Sequence, residues 1–459
     1  MGRSTSALRN ALGTASRNER YESGKALRRK VTRSRQGNWS PDRDRPDPID
    51  LLQQSDRIRV PALLPIRYGR MSMSPFAFLR GSAGVMARDL ASEPVTGLKV
   101  QLCGDAHLSN FGVFGTPERD RVFDVDDFDE TLPGPWEWDL KRLATSFVVA
   151  GRQNSYGRSE TRKATRTVLR SYREMMASFA KMRYLDIWYY HLDLRTKTLP
   201  SGRNPRKMLD RAVERARDQT NLHAFPKLAR TESSSYRIRE TRPLIVHSAR
   251  PDAFEESRAF YERYLASLPD ERRMLLDRYH IADVAQKVVG VGSVGLACSV
   301  VLLMSDRDVE DPLFLQLKQA TASALEPYLG ASSYSNHAQR VVEGQHMVQE
   351  ASDIFLGWSR LRSRDFYVRQ LRDMKFAYDI STLGPREFVG QAALCGTALA
   401  RAHARTGDPA AISGYLGNRD LFDEAITRFA ESYANQTEQD HEALLVAIKK
   451  GRVEARVDV

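Results

Sequence analysis

Residues 103–112 read CGDAHLSNFG, and residues 123–140 read FDVDDFDETLPGPWEWDL. The first stretch puts Asp105, His107 and Asn110 on one short loop behind the strand-like run KVQLCGD. The second adds Asp124, Asp126, Asp127 and Asp129 along a run whose apolar positions alternate as in a strand. Like charges crowded around an apolar strand are costly unless a cation compensates them, and carboxylate and amide oxygens are the hard ligands that magnesium takes. A solvated turn rich in aspartate is the plainer alternative for such a run.

An aspartate that accepts a hydroxyl proton, followed five residues later by an asparagine whose side-chain oxygen reaches magnesium, is the D-x-x-x-x-N spacing of a kinase catalytic loop. Asp105 and Asn110 have that spacing. GDAHLSN also resembles the GDLHxxN loop of the aminoglycoside phosphotransferases and their relatives in the protein-kinase-like superfamily. In that family the loop is followed by a strand ending in IDF or DFG and then by a D-L-A helix start; Asp127-Phe128 and Asp139-Leu140 fill those places here. The resemblance implies that Asp105 is the catalytic base and that Asn110 and Asp127 are metal ligands. It further implies that Asp139 braces the loop from the next helix, that His107 supports the loop, and that ATP and Mg2+ are the cofactors. Asp126 stays a rival for Asp127, since the run permits a one-residue shift.

The superfamily places a small nucleotide-binding lobe before the catalytic loop, but no glycine-rich loop followed by a strand lysine precedes Asp105. Those parts come later. GVGSVG at 290–295, with Gly290, Gly292 and Gly295, lies between DVAQKVV and LACSVVLLM, and Lys318 follows in LFLQLKQA. A G-x-G-x-x-G also fits a plain hairpin or a dinucleotide-binding turn. The latter requires a helix directly after the glycines, whereas β-favouring residues follow here, although Glu310 and Asp311 lie near the place of its ribose-binding acid. Strand, glycine loop, strand and lysine-bearing strand is the kinase small-lobe order, with amides over the phosphates and the lysine on the α and β phosphates. The lysine calls for a glutamate on an adjoining helix: Glu326 in ATASALEPY is the first candidate and Glu343 in RVVEGQHM the second. RDFYVRQLRDMK supplies the expected edge strand, with an adenine hinge around Gln370 and Leu371.

The spacing of apolar residues predicts helices over much of 136–280, strands over 281–378 and helices again from Pro385. The fold expected is α+β and two-lobed: a basic tail over 1–45, a large helical lobe over 46–280 with the catalytic and metal loops, a strand-rich nucleotide-binding lobe over 281–378, and helices over 379–459 completing the large lobe. GTALARAHART at 396–406 resembles the helix ending L-A-x-x-H-A that normally leads into the catalytic loop, yet it stands near the end of the chain. A circular permutation of the kinase-like fold accounts for this order. PIRYGRMSMSPFAFLRG, the CGDAHLSNFG loop and FYVRQLRDMK together also resemble a large uncharacterised bacterial family grouped with kinase-like folds, over most of residues 45–445.

A chain of 459 residues, 41% hydrophobic and 28% charged, is long enough for two or three packed units. Its net charge of +12 is concentrated at one end: residues 1–45 hold twelve Lys or Arg against four acids. A basic, aromatic-poor arm of this kind is expected to be a mobile, solvated tail; an electrostatic arm for nucleic acid is the less favoured use. Cys103, Cys298 and Cys395 are too scattered for a disulfide framework or a zinc site, and no run reaches the roughly 18 to 20 apolar residues of a membrane span. A cytoplasmic location without a membrane partner is expected. The function expected is ATP- and magnesium-dependent phosphoryl transfer to an unidentified hydroxyl on a small molecule or protein. Nucleotidyl transfer on the same fold and a non-catalytic module binding nucleotide or nucleic acid are the alternatives. A degenerate module would have lost one of Asp105, Asn110, Asp127 or Lys318, and all four are present.

Overall fold

The computed structural model describes residues 15–192, 221–232, 235–248, 253–288, 290–307, 311–371 and 376–457. The described chain opens with helix α1 (Arg17–Ala26), followed by α2 (Pro48–Asp56), α3 (Leu64–Ser72), α4 (Pro75–Gly81) and α5 (Ala83–Ala91). Local chemistry sets these starts: Asp47 and Ser74 cap α2 and α4 with their side chains, each just before a proline in the first turn. Ser82, at φ −123° and ψ 36°, divides α4 from α5.

Strand β1 (Lys99–Leu102) leads into the CGDAHLSN loop, after which β2 (Phe111–Gly115) and β3 (Arg121–Val125) form an antiparallel hairpin. Strand β4 (Leu132–Pro135) returns to pair with β1 before α6 (Trp136–Gln153), α7 (Arg158–Phe179) and α8 (Tyr184–Trp188). Beyond lie α9 (Asn221–Leu228), the pair β5 (Ala229–Glu232) and β6 (Ser235–Ile238), β7 (Ile245–Val246), α10 (Ala253–Leu265) and α11 (Asp270–Leu276). The strand-rich part contains β8 (Tyr279–Lys287), β9 (Cys298–Ser305), β10 (Pro312–Ala320), α12 (Glu326–Leu329), α13 (His337–Val348), β11 (Gly357–Leu361), β12 (Arg364–Gln370) and β13 (Phe376–Ala377). Helices α14 (Pro385–Thr406), α15 (Pro409–Leu416) and α16 (Leu421–Lys449) close the chain.

This is a mixed α+β fold, as expected. Six strands form one antiparallel sheet in the order β11-β12-β10-β9-β8-β7. Because side chains alternate across a strand, β10 sends Leu313, Leu315 and Leu317 to one face, where Phe260 and Tyr264 of α10 cover them. Gln316, Lys318 and Ala320 go to the other face and line a cleft. The helical part is built on α6, α7, α14 and α16, with Trp136 fully buried among Tyr172, Tyr415 and Phe422.

Three boundaries differ from the sequence reading. Residues 15–45 are docked rather than free: α1 lies against α15 with no room for a Cβ on Gly24, which would sit 1.9 Å from the Ala411 carbonyl oxygen. Arg28 Nε also donates to the Tyr415 carbonyl (2.9 Å) and Arg33 to that of Leu416 (2.8 Å), so basic residues of the supposed tail close helix ends instead of meeting solvent. Residues 1–14, the rest of that tail, lie outside the described residues. Second, the strand-rich part begins well before residue 281, since β7 joins its sheet and α10, α11 and the turn between them supply Phe260, Tyr264, Leu268 and Leu276 to its core. Third, β12 is an inner strand between β11 and β10, not an edge strand. No helix among the described residues is long and apolar enough to cross a membrane.

The end of α14 abuts the start of β1. Thr406 Oγ1 accepts from the Gln101 amide at 3.1 Å, and a Cβ on Gly407 would lie 3.2 Å from the Lys99 carbonyl oxygen.

Candidate active site

A cleft of about 750 Å3 opens between the six-stranded sheet and the loops after β1 and β3. Asp105, Asn110, Asp127, Gly290, Gly292 and Lys318 all line it, although they come from widely separated parts of the chain. Helices α2, α4 and α5 complete the wall with Ser55, Arg80 and Val85.

The loop after β1 is built around Asp139. This buried carboxylate, in the first turn of α6, accepts from the Cys103 amide (2.8 Å) and the Gly104 amide (3.0 Å), and His403 Nε2 of α14 lies 3.2 Å away. Tyr172 then closes on His403 Nδ1 at 2.9 Å. Gly104 adopts φ +85°, where a Cβ would lie 2.2 Å from the Glu130 carbonyl oxygen, so both backbone conformation and space require glycine ahead of Asp105.

Asp105 points into the cleft and is held by Arg142 of α6 at 2.5 Å. Burial pushes its carboxyl up from the ordinary carboxylate range, with Arg142 and Arg80 pulling the other way. His107 stands 3.7 Å from Asp105 Oδ2 and packs edge-on to Phe76. Burial, then the charges of Arg80 and Arg142, hold the imidazole well below its usual range and hence neutral. A neutral, buried ring fits a supporting part.

Asn110 Nδ2 donates to the Asp105 carbonyl at 2.8 Å, and its side-chain oxygen is the atom that could meet a cation. The Asn110 carbonyl accepts from the Asp126 amide at 2.8 Å, so the open end of the β2–β3 hairpin brings Asn110 beside the aspartate run. Asp127, not Asp126, lines the cleft and reaches Lys318 at 3.6 Å. Among the described residues no group of three or more His, Cys, Asp or Glu could hold a metal ion. The Asn110 amide and the Asp127 carboxylate are the oxygens that could hold a cation there, and so small a set would suit one that keeps water and takes phosphate oxygens for its remaining positions.

Lys318 does not meet Glu326. Its ammonium lies 2.5 Å from Asp129, which also accepts from Tyr367 Oη (2.8 Å) and Ser293 Oγ (3.0 Å). Burial works against the ammonium, but Asp127 and Asp129 outweigh it and keep it protonated. The two acids are driven apart: burial and then Asp129 raise Asp127, while Lys318 and Tyr367 overcome burial to lower Asp129. Glu326 faces Arg340 at 3.9 Å, and Glu343, the second candidate, is not in the cleft wall. On α13, the helix facing the lysine, the inward position belongs to Arg340, which is 1% exposed. Its guanidinium donates to the carbonyls of Thr131 (2.6 Å), Asp129 (2.8 Å) and Thr321 (2.8 Å), tying the aspartate loop to the sheet.

The GVGSVG segment joins antiparallel β8 and β9 through a single 3-10 turn, Val291–Ser293, with no helix behind it, so the dinucleotide-binding alternative does not apply. Glu310, its candidate ribose-binding acid, lies outside the described residues. A Cβ on Gly290 would meet nothing within 4 Å, so open space rather than packing surrounds this glycine. Gly295 is not in the cleft wall; its carbonyl accepts from the Val60 amide at 2.7 Å. Gln370 and Leu371 are engaged within the sheet, Leu371 donating to the Phe314 carbonyl at 2.9 Å, and neither lines the cleft.

A family model described as an uncharacterized protein conserved in bacteria, DUF2252, matches residues 59–447. The chain belongs to the DUF2252 family. No curated protein and no solved structure matches it. In this DUF2252 protein sequence reasoning missed Asp129 as the partner of Lys318, together with Arg142, Arg340 and Tyr367. The signal for Asp129 was its place in the FDVDDFDE run. The arginines and Tyr367 carried none, since each acts through a contact between distant segments.

Proposed function

We propose that this DUF2252 protein is an ATP- and magnesium-dependent phosphotransferase with a circularly permuted, two-lobed protein-kinase-like fold. The observation that carries the reading is the convergence of Asp105, Asn110, Asp127, Lys318 and the Gly290–Gly292 turn on one cleft. The union of α14 with β1 supports the permutation, because the helix that would precede the catalytic loop in sequence precedes it in space. Glycine turn, lysine strand, helix and two further strands follow one another in the order of a kinase small lobe.

In this reading Lys318 neutralises phosphate charge, the Gly290–Gly292 turn lets the backbone approach the phosphates, and Asn110 with Asp127 would hold magnesium, which would supply further neutralisation of phosphate charge. Asp105 takes the proton of the acceptor hydroxyl, and its raised affinity for a proton suits a base. Arg142 orients it. The partners are thus a nucleotide and a small-molecule or protein hydroxyl.

The test is to incubate the protein with cell extract and ATP labelled separately at the α and γ phosphates. Label passing to an acceptor from the γ position alone supports the reading. Transfer of the α label points to nucleotidyl transfer, and tight Mg-ATP binding with no transfer to a non-catalytic module.

A further inference from the structure

Arg80, near the end of α4, lines the cleft. Its surroundings set it apart from the other guanidinium groups there. Arg67 is paired with Asp56 at 3.0 Å, Arg59 donates to the Val294 carbonyl at 2.6 Å, and Arg369 donates to the Asp126 carbonyl at 3.3 Å. The Arg80 side chain has no ion pair or hydrogen bond among the described residues; its Nε is shut off from solvent without a hydrogen-bond partner, as are those of Arg59 and Arg67, but those two are held through their other nitrogens. A guanidinium partly shut off from water and paired directly with no carboxylate is costly, and an arriving anion lowers that cost.

Its position is fixed from both sides. Arg142 donates to the Leu79 carbonyl at 2.8 Å while it grips Asp105, and Arg67 donates to the Gly81 carbonyl at 3.0 Å. One buried guanidinium therefore indexes the helix that carries Arg80 to the carboxylate that would take the acceptor's proton. The Arg80 carbonyl also lies 3.3 Å from where a Cβ of Gly292 would be, so the helix touches the glycine turn as well. Arg80 thus stands between the turn that would cover the phosphates and the carboxylates of Asp105 and Asp127, whose charges act on it.

From this geometry we infer that Arg80 is a catalytic residue which contacts the phosphoryl group in flight, an anion-stabilising arginine supplied by the chain itself from outside both the glycine turn and the catalytic loop. The inference rests on the phosphotransferase reading. The acceptor oxygen bonds to the γ phosphorus as the bond from that phosphorus to the β–γ bridging oxygen breaks; the hydroxyl proton goes to Asp105 and ADP leaves. Arg80 exchanges no proton and neutralises charge on the equatorial oxygens.

The experiment compares wild type with Arg80→Gln in the melting temperature under Mg-ATP, under Mg-ADP, and under Mg-ADP with aluminium fluoride, a stand-in for the transferring phosphoryl group. Wild type is expected to gain an increment with the fluoride beyond that of ADP, and Arg80→Gln to lose that increment while keeping its response to Mg-ATP. Its turnover should fall by about 10³-fold, the low end of what such an arginine supplies. Should Arg80→Gln fail to fold, Arg80→Lys is used, since it keeps the charge but lacks the planar fork and should lose the same increment. A wild type without the increment, or variants that retain it and turn over normally, overturns the inference. An Arg80-dependent increment in a wild type that moves no label from ATP keeps the anion site and sinks the phosphotransferase reading instead.

Discussion

His403 Nε2 and Asp139 Oδ2 lie 3.2 Å apart although 264 positions separate them in the chain. The contact ties α14 to α6, the helix that follows the aspartate run, and Asp139 passes the constraint to the amides of Cys103 and Gly104. A buried carboxylate with this many donors is worth most when every donor is present. Asp139→Asn and His403→Gln are each expected to lower the unfolding free energy, and the double variant to lose less than their sum, by about 0.5–3 kcal/mol. Denaturant titration of the four proteins measures that coupling, and additive losses would dissociate the two residues.

The Lys318 cluster makes a second prediction. Lys318→Met leaves Asp127 and Asp129 facing each other without a cation, a loss of up to about 3–5 kcal/mol for a fully buried pair and less here because both carboxylates are partly exposed. Adding Asp129→Asn should recover part of the stability. Neither variant should show the rise in melting temperature expected of wild type with Mg-ATP, which would come from binding the native state. A lysine serving only as a structural bridge would leave the response of the double variant intact.

How the cluster is built shows what was legible in the sequence. Strands β8 to β12 of the six-stranded sheet and the glycine turn follow from side-chain alternation and turn chemistry, which are local, and the spacing of Asp105 to Asn110 is local too. Lys318 was found for the same reason. Its partner was not, because a lysine's counter-ion is chosen in space: α13 offers Arg340 inward where a glutamate was expected, and Asp129 on the aspartate loop takes the ammonium. The basic segment 15–45 was misread as a tail since composition records charge but not the small residues, Gly24 and Ala411, that let two helices touch. Strand β12 was misplaced at an edge because strand order within a sheet is not written along the chain.

That docking has a measurable consequence. Deleting residues 1–40 removes α1 and the contacts of Arg28 and Arg33 from α15, so the melting temperature should fall by about 1–2 °C, roughly what a loss of 1–2 kcal/mol gives in a chain of this size. Gly24→Leu should do much the same, by pushing α1 off the Ala411 backbone. The rise caused by Mg-ATP should survive in both, since no residue before Leu51 lines the cleft. An unchanged melting temperature after the deletion would show that the segment does not dock.

Catalysis separates from binding at Asp105. Asp105→Asn keeps the shape of the loop and should leave the melting response to Mg-ATP in place while cutting turnover by roughly 10² to 10⁴, the usual worth of a positioned base. Asp127→Asn should damage both, because it removes a ligand of the cation and leaves phosphate charge uncompensated. Slow ATP hydrolysis or self-modification serves as the readout until an acceptor is in hand. Full activity in Asp105→Asn would remove the base from this position.

The acid side of the pH profile tests the same carboxylate by a different route. A base must be ionised to act, and burial raises Asp105 above the ordinary carboxylate range near 3.9 while Arg142 opposes the shift. Activity should therefore fail, as pH drops, at a higher pH than an exposed aspartate would give. Arg142→Gln removes the opposing charge, so its acid limb should move to still higher pH. The sign for stability runs the opposite way to that of a salt-bridged acid: a folded value above the unfolded one means the native state binds the proton more tightly. That contribution is fully present below the unfolded value and is lost as pH rises through the folded one. Asp105→Asn should flatten this part of the stability profile, measured as unfolding free energy against pH, and abolish the limb it causes in kcat/KM. A limb that stays in place in Arg142→Gln would assign it to another group.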